Sequence, residues 1–149
     1  MKRLVTVLFF GVLGLLAACS EAEPTELSTA EFSLTATDLA FSSDQMEVTA
    51  GQPVKIVLNN EGALEHDFSI LAMPHIGEIH AESNEMAGAM MGHDMSNMDV
   101  LPEIHMVAAP GGSSTIEFTP STAGEYEFYC TVAGHKEAGM RGLLVVKAS

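Results

Sequence analysis

The sequence predicts an all-β domain, a Greek-key sandwich of short strands. Three observations indicate this class. Apolar and polar residues alternate over short stretches, turn-forming clusters separate those stretches, and the alternating regions lack a helical stripe of adequate length. Short strands at such spacing are typical of a sandwich or a barrel.

The first half of the chain contains four predicted strands. Apolar residues alternate with polar ones at 32–36, 46–48 and 54–58. A turn cluster of Ala, Gly, Gln and Pro at 50–53 separates the second strand from the third. The fourth strand, 66–71, begins with a histidine and carries Phe and Ile on one face.

The second half continues the pattern after an interruption. Residues 115–118 lead into a turn cluster at 119–124, residues 126–130 place Tyr, Phe and Cys on one face, and residues 143–146 make the last strand. Residues 73–106 break the β pattern and are rich in Met and His. We therefore expect this segment to be an insert in the sandwich.

The N-terminal residues 1–18 are typical of a signal peptide. A short positive start precedes an apolar run at 4–16 that is too short and too near the terminus for a membrane span. The run ends in Leu-Ala-Ala-Cys, which resembles a bacterial lipobox in which Cys19 receives lipid; ordinary cleavage that leaves a thiol is the alternative. The sequence thus predicts an exported protein, lipid-anchored to a bacterial membrane on its extracytoplasmic or periplasmic face.

The remainder predicts a tether and one domain. Residues 19–30 are small and acidic and lack an apolar stripe, which is typical of a flexible tether. Residues 31–149 are enough for one domain with a sizeable core. The formal charge of −14 argues against nucleic acid as a partner and favours a basic protein partner, although solubility alone would also explain it.

Cys130 is the only cysteine of the predicted domain, so it has no disulfide partner there. It opens a Cys-x4-His-x4-Met spacing that continues through His135 to Met140. A thiolate, an imidazole and a thioether on one loop suit copper, whereas zinc rarely uses a thioether. His66 begins a predicted strand and would supply a second imidazole, since ends of non-consecutive strands meet at one pole of a Greek-key sandwich. Taken singly, each of these residues could equally be an ordinary core or surface side chain.

This loop, the preceding strand at 124–129 and the His-Asp-Phe at 66–68 resemble the cupredoxin family. By ligand spacing the sequence is most similar to its auracyanin and rusticyanin branch. The resemblance covers residues 31–72 and 107–149. It implies a cupredoxin β-sandwich with one type 1 copper site, which transfers single electrons without substrate turnover. The copper ligands that it implies are His66, Cys130, His135 and Met140.

The resemblance also implies roles for residues beside the ligands. Asp67 and Thr131 are expected to form a clasp between the two ligand loops, and the backbone N–H groups of Asp67 and Val132 to donate to the Cys130 sulfur. Relatives commonly carry Asn or Ser where this chain has Asp67, and often Pro where it has Ala133. The acidic residue is expected to alter the reduction potential, whereas the effect of Ala133 on chain entropy is too small to threaten the site.

The segment 73–106 holds seven of the ten Met residues and four of the six His residues. Thioethers and imidazoles at this density would supply ligands for additional Cu(I). The alternative is a flap that covers the sandwich with adaptable Met side chains. The candidate ligands for additional Cu(I) are Met86, Met90, Met91, His93, Met95 and Met98.

Two classes of function follow from these patterns. The first is a membrane-tethered carrier of single electrons, whose partner is a redox protein such as a c-type cytochrome or a membrane oxidoreductase. The second is an extracytoplasmic copper-handling protein, a chaperone or scavenger. An enzyme is not expected, because the sequence has no His-x-His pair for further coppers, and a binuclear centre needs two cysteines on one loop.

Overall fold

A computed structural model describes residues 27–83 and 100–149 of the chain. Within these residues there are nine strands and one short helix. The elements are β1 (Ala30–Ala36), β2 (Gln45–Thr49), β3 (Val54–Asn60), β4 (His66–Ile70), β5 (His80–Ser83), β6 (Ile104–Ala108), β7 (Ser113–Phe118), β8 (Gly124–Tyr129), α1 (His135–Ala138) and β9 (Arg141–Lys147). No helix in this described part is long and apolar enough to cross a membrane.

The strands form two sheets. One has the order β1-β3-β7-β5 and the other the order β2-β9-β8-β4-β6. β1 runs parallel to β3 and β2 runs parallel to β9, whereas the other pairs are antiparallel. Neighbours in a sheet are mostly not consecutive in sequence, as Greek-key connections require. The prediction of an all-β sandwich is confirmed.

The core lies between the two sheets, because successive side chains along each strand point to opposite faces and every second one points inward. In β3, buried residues alternate with half-buried ones, so that Ile56 and Leu58 point inward. Phe68 of β4 and Phe128 of β8 stack with ring centroids 5.2 Å apart. Burying a side chain of this size contributes about 1.5–3 kcal/mol relative to leaving it exposed, so this pair stabilises the contact between β4 and β8.

The strand ends bring distant parts of the chain to one end of the sandwich, here called the ligand pole. It contains the ends of β1, β3 and β8 and the start of β4. β4 and β8 are antiparallel neighbours, with Ser69 opposite Tyr129, so β4 begins where β8 ends. The loop after β3 also reaches back to β1, since the N–H of Glu61 donates to the carbonyl of Ala36 at 2.8 Å.

The segment 73–106 differs from the expected insert at both margins. β5 lies within it and pairs with β7, and most of β6 lies within it and pairs with β4. Met73 and Met106 are buried in the core. Ile104, Met106 and Ala108 alternate with half-buried residues, but methionine was interpreted as a ligand rather than as a core side chain, which obscured the alternation.

Several predicted features lie outside the described residues. They are the signal peptide 1–18, Cys19, most of the tether 19–30, and the candidate Cu(I) ligands Met86, Met90, Met91, His93, Met95 and Met98.

Candidate metal centre

All four predicted copper ligands lie at the ligand pole and are buried. His66 is the first residue of β4, Cys130 follows β8, His135 is the first residue of α1, and Met140 lies between α1 and β9. His66, Cys130 and Met140 have no exposed surface, and His135 is 5% exposed. The fold therefore gathers one strand start and one loop into a single site.

The nitrogen and sulfur atoms of three ligands converge. The Cys130 Sγ lies 3.9 Å from Nδ1 of His66 and 3.6 Å from Nδ1 of His135, and the three ligand atoms lie within 4.8 Å of one another. Metal–ligand bonds of about 2.0–2.3 Å produce such separations around one ion. The two imidazole rings have centroids 5.0 Å apart. A thiolate with two imidazoles, together with the thioether of the buried Met140 in the same loop, is the donor set that suits a type 1 copper ion.

The ligand loop depends on two glycines. Gly134 and Gly139 flank α1 with φ angles of 85° and 109°, in the left-handed region that glycine adopts without strain. The turn lets the Met140 N–H donate to the His135 carbonyl at 2.9 Å, and the Cys130 N–H donate to the Met140 carbonyl at 3.1 Å. This role of the glycines was not predicted from the sequence. The glycines themselves, directly before His135 and Met140 in the sequence, were the available signal, since glycine is the residue that adopts such conformations without strain.

Asp67 joins β4 to the ligand loop. Its carboxylate is fully buried and accepts the Thr131 N–H at 2.9 and 3.0 Å and the Thr131 hydroxyl at 2.9 Å. The same carboxylate lies 3.5 Å from the Cys130 sulfur. The acidic side chain is thus directed at the ligand loop and not at solvent.

The electrostatics of the site follow from its burial. Burial raises the pKa of the Cys130 thiol to about 12, and the charge of Asp67 adds to the rise. Hydrogen bonds from the backbone N–H groups of Asp67 and Val132 to the sulfur act in the opposite direction, because they favour the thiolate. Burial, and then the neighbouring His135, lower the pKa of His66, which keeps its imidazole neutral and ready to coordinate.

Comparison with known proteins identifies the family. A family model of copper-binding proteins, the plastocyanin/azurin family, matches residues 28–147. The chain belongs to this family. The predicted resemblance to cupredoxins is confirmed, and copper is the cofactor of this cupredoxin; the converging His66, Cys130 and His135, with the buried Met140 in the same loop, are suited to hold it as a type 1 site.

The relatives of this cupredoxin fall into two groups. It is 31% identical over 137 residues to the copper-resistant cuproprotein CopI of Pseudomonas aeruginosa, covering 74% of this chain and 72% of the relative. It is 34% identical over 109 residues to CopI of Rubrivivax gelatinosus, covering 73% of this chain but only 61% of that relative. It is also 34% identical over 113 residues to auracyanin-A of Chloroflexus aurantiacus, covering 73% of this chain and 68% of the relative.

Two solved auracyanin structures also match this chain. The crystal structure of dithionite-reduced auracyanin from Roseiflexus castenholzii matches with a TM-score of 0.56 and 25% identity, covering 78% of this chain and 95% of that one. Auracyanin B matches with the same TM-score at 21% identity, covering 85% of this chain and 93% of that one, which shows the fold alone.

The cupredoxin holds His66 in place by packing on the side away from the sulfur. The Nε2 atom of His66 is buried and has no hydrogen-bond partner among the described residues. A Cβ atom at Gly62 would lie 2.7 Å from this Nε2, so only a glycine lets the loop approach the ring so closely. The ring therefore presents Nδ1 to the metal position, where it lies nearest Cys130.

The surface above the cupredoxin ligands is mostly small. Ala133, Gly134, Ala138 and Gly139 are exposed around the nearly buried His135. Lys136 does not extend outward, because its Nζ lies 2.6 Å from Glu127 and 3.9 Å from the centre of the Tyr129 ring.

Proposed function

We propose that this cupredoxin carries single electrons between redox partners. The observation that supports this proposal most is the buried cluster of Cys130, His66 and His135, which strand pairing and loop packing hold together. Copper in such a site changes between two oxidation states by gaining or losing one electron. Ligands that the protein already holds in position need little rearrangement when the charge of the ion changes.

The surface around His135 supports docking of a redox partner. Small residues cover the ligand loop, so another protein could approach the edge of His135 closely. The chain is strongly acidic, with a formal charge of −14, which favours a partner with a basic surface, such as a c-type cytochrome or a membrane oxidoreductase. In this proposal the protein has no substrate to turn over and is not an enzyme.

The copper content and redox behaviour of the purified protein test the carrier. We expect one copper per chain, an intense visible charge-transfer band and a reversible one-electron redox titration. Cys130→Ser should abolish the band while its circular dichroism still reports a β-sandwich, because the colour arises from the thiolate. A Cys130→Ser protein that keeps the band would refute the ligand assignment, and an irreversible titration of the wild type would refute the carrier.

Copper handling is the second candidate function, and the relatives favour it. Two of the relatives described above are copper-resistant cuproproteins. The Met and His content of residues 73–106 adds a supply of ligands for Cu(I). In this alternative the type 1 site and the Met/His segment would store or pass on copper, as a chaperone or scavenger does.

Replacing five methionines separates the two candidates. Leucine has similar bulk and apolarity, so Met86, Met90, Met91, Met95 and Met98 can be changed to Leu together. Copper handling predicts loss of Cu(I) beyond the first ion, with an intact visible band, and reduced copper tolerance of cells. The carrier predicts unchanged copper content and electron-transfer rates. Met106→Leu is a matched control, since Met106 is a buried core residue of β6.

We also propose that Cys19 is lipidated and attaches the protein to the extracytoplasmic face of a bacterial membrane. The lipobox-like residues before Cys19 support this proposal. Wild-type protein should fractionate with membranes, and Cys19→Ala should be soluble. Stable attachment needs more than one acyl chain, which mass spectrometry of the N-terminal peptide would detect. An unmodified wild-type N-terminal peptide would contradict the anchor.

A further inference from the structure

A chain of hydrogen bonds runs through buried side chains from the ligand loop to the edge strand β6. Ser69 lies two residues after Asp67 on β4, on the same face, and is opposite His105 in the β4–β6 pairing. Its side chain is fully buried. The Ser69 Oγ lies 2.7 Å from Oδ1 of Asp67 and 2.9 Å from Nδ1 of His105. Neither Ser69 nor His105 is a ligand, and the family resemblance assigned no role to either residue.

The chemistry of the three groups fixes the direction of these bonds. A serine hydroxyl has one hydrogen, and an ionised carboxylate only accepts. The Ser69 hydroxyl therefore donates to Asp67, and its oxygen accepts the Nδ1–H of His105. The proton of His105 is thereby assigned to Nδ1 from the hydrogen-bond network. His105 thus turns the Ser69 hydroxyl hydrogen toward the carboxylate.

We propose that Ser69 and His105 are positioning residues of the copper site, which act through Asp67. They hold one carboxylate oxygen, so that the carboxylate stays turned toward Thr131 and the Cys130 sulfur. They also offset part of its negative charge. The proposal concerns the copper site itself and is independent of the choice between electron carriage and copper handling.

The expected effect of Ser69→Ala has a definite sign. Without the hydroxyl donor, the carboxylate near the sulfur is less neutralised, and its negative field favours Cu(II) over Cu(I). At a fixed applied potential, the ratio of Cu(I) to Cu(II) should fall by about threefold to tenfold, as is reasonable for a hydrogen bond to a charged group. In an Asp67→Asn background the same substitution should leave the ratio unchanged, because the charge is gone.

His105 provides a matched pair of variants. The amide nitrogen of asparagine occupies nearly the position of Nδ1, so His105→Asn keeps a donor to Ser69, whereas His105→Phe removes it. We expect His105→Phe to shift the ratio in the same direction as Ser69→Ala but by less, since it only weakens the hydroxyl as a donor. His105→Asn should restore most of the wild-type value.

A second measurement needs no copper. Hydrogen exchange of the Thr131 N–H in the metal-free protein reports whether the carboxylate still accepts from it. We expect exchange to be about tenfold faster in Ser69→Ala than in the wild type, a factor equivalent to losing a typical hydrogen bond. Ser114→Ala is the control, since Ser114 is an equally buried serine that donates to the Val107 carbonyl and not to Asp67.

The two measurements together decide the proposal. Thermal unfolding followed by circular dichroism first establishes that each variant is folded. An unchanged or increased Cu(I) to Cu(II) ratio in folded Ser69→Ala would overturn the proposal, as would unchanged Thr131 exchange. Equal effects of Ser114→Ala would also overturn it, because they would reflect loss of any buried hydroxyl. If Ser69→Ala does not fold, the contrast between His105→Phe and His105→Asn decides.

Discussion

The thiol of Cys130 should make the metal-free protein sensitive to alkaline pH. Its pKa is raised from an ordinary value of 9.0 to about 12, first by burial and then by the charge of Asp67. A group whose pKa is raised by folding stabilises the folded state fully below its unfolded pKa. This contribution is lost as the pH rises from 9 toward 12, because the unfolded chain releases the proton first.

The size of this loss of unfolding free energy follows from the difference between the folded and unfolded pKa values of Cys130. Each pH unit between the two pKa values removes about 1.4 kcal/mol of unfolding free energy. Between pH 8 and pH 10 the loss is therefore about 1.4 kcal/mol, since titration of the unfolded thiol begins near pH 9. The serine hydroxyl introduced by Cys130→Ser does not titrate in this range. Lysine and tyrosine titrations are common to both proteins and cancel in the comparison.

Urea unfolding of metal-free wild type and Cys130→Ser at pH 8 and pH 10, under reducing conditions, measures the difference. The wild type should lose about 1.4 kcal/mol more than the variant over this interval. In Asp67→Asn the loss of unfolding free energy should end at a lower pH. The charge of Asp67, one cause of the raised Cys130 pKa, is absent from this variant. Parallel losses in wild type and Cys130→Ser would refute the reasoning, since they would mean that the sulfur is neither desolvated nor close to a negative charge.

Three further predictions concern the surroundings of the metal. Asp67→Asn should raise the reduction potential in a redox titration, because a buried negative charge near the sulfur favours Cu(II); no change or a fall would contradict this. Gly62→Ala should weaken copper binding by about 10- to 100-fold in a competition titration, since the new Cβ would displace His66; unchanged affinity would show that the loop yields. Asn60→Ala should lower the free energy of unfolding by about 2–4 kcal/mol in urea, because the buried amide donates to two carbonyls and accepts a third bond; a loss below about 1 kcal/mol would contradict it.

The sequence was sufficient to predict that three of the candidate ligands lie together, because their spacing is local. Cys130, His135 and Met140 lie within one loop between two strands with clear alternation, and a thiolate, an imidazole and a thioether so close together suit few metals besides copper. His66 was harder to assign, since it depends on which strand ends meet. The start of a predicted strand was the available signal, and the β4–β8 pairing accounts for the proximity.

Contacts that depend on cross-strand register could not be predicted from the sequence. Ser69 is adjacent to His105 only because β4 and β6 pair with these residues opposite each other. If the register of β4 against β6 shifted by one residue, a different side chain would lie opposite Ser69. The sequence alone does not determine this register. Asn60 likewise lies just after the alternating residues 54–58, and the sequence does not indicate that its side chain is buried and joins the β3 end to Leu64 and Ala108.

The parallel pairing of β1 with β3 determines where the chain enters the domain. Ala30 lies opposite Val54 and Ala36 opposite Asn60, so β1 runs toward the ligand pole and begins at the other end of the sandwich. A strand of seven residues spans roughly 23 Å at the usual rise per residue. Any attachment through residues before β1, whether to a membrane or to an engineered electrode surface, would therefore hold the domain by its far end. The copper site would then lie at the end of the sandwich farther from the attachment point, where an arriving protein could reach it.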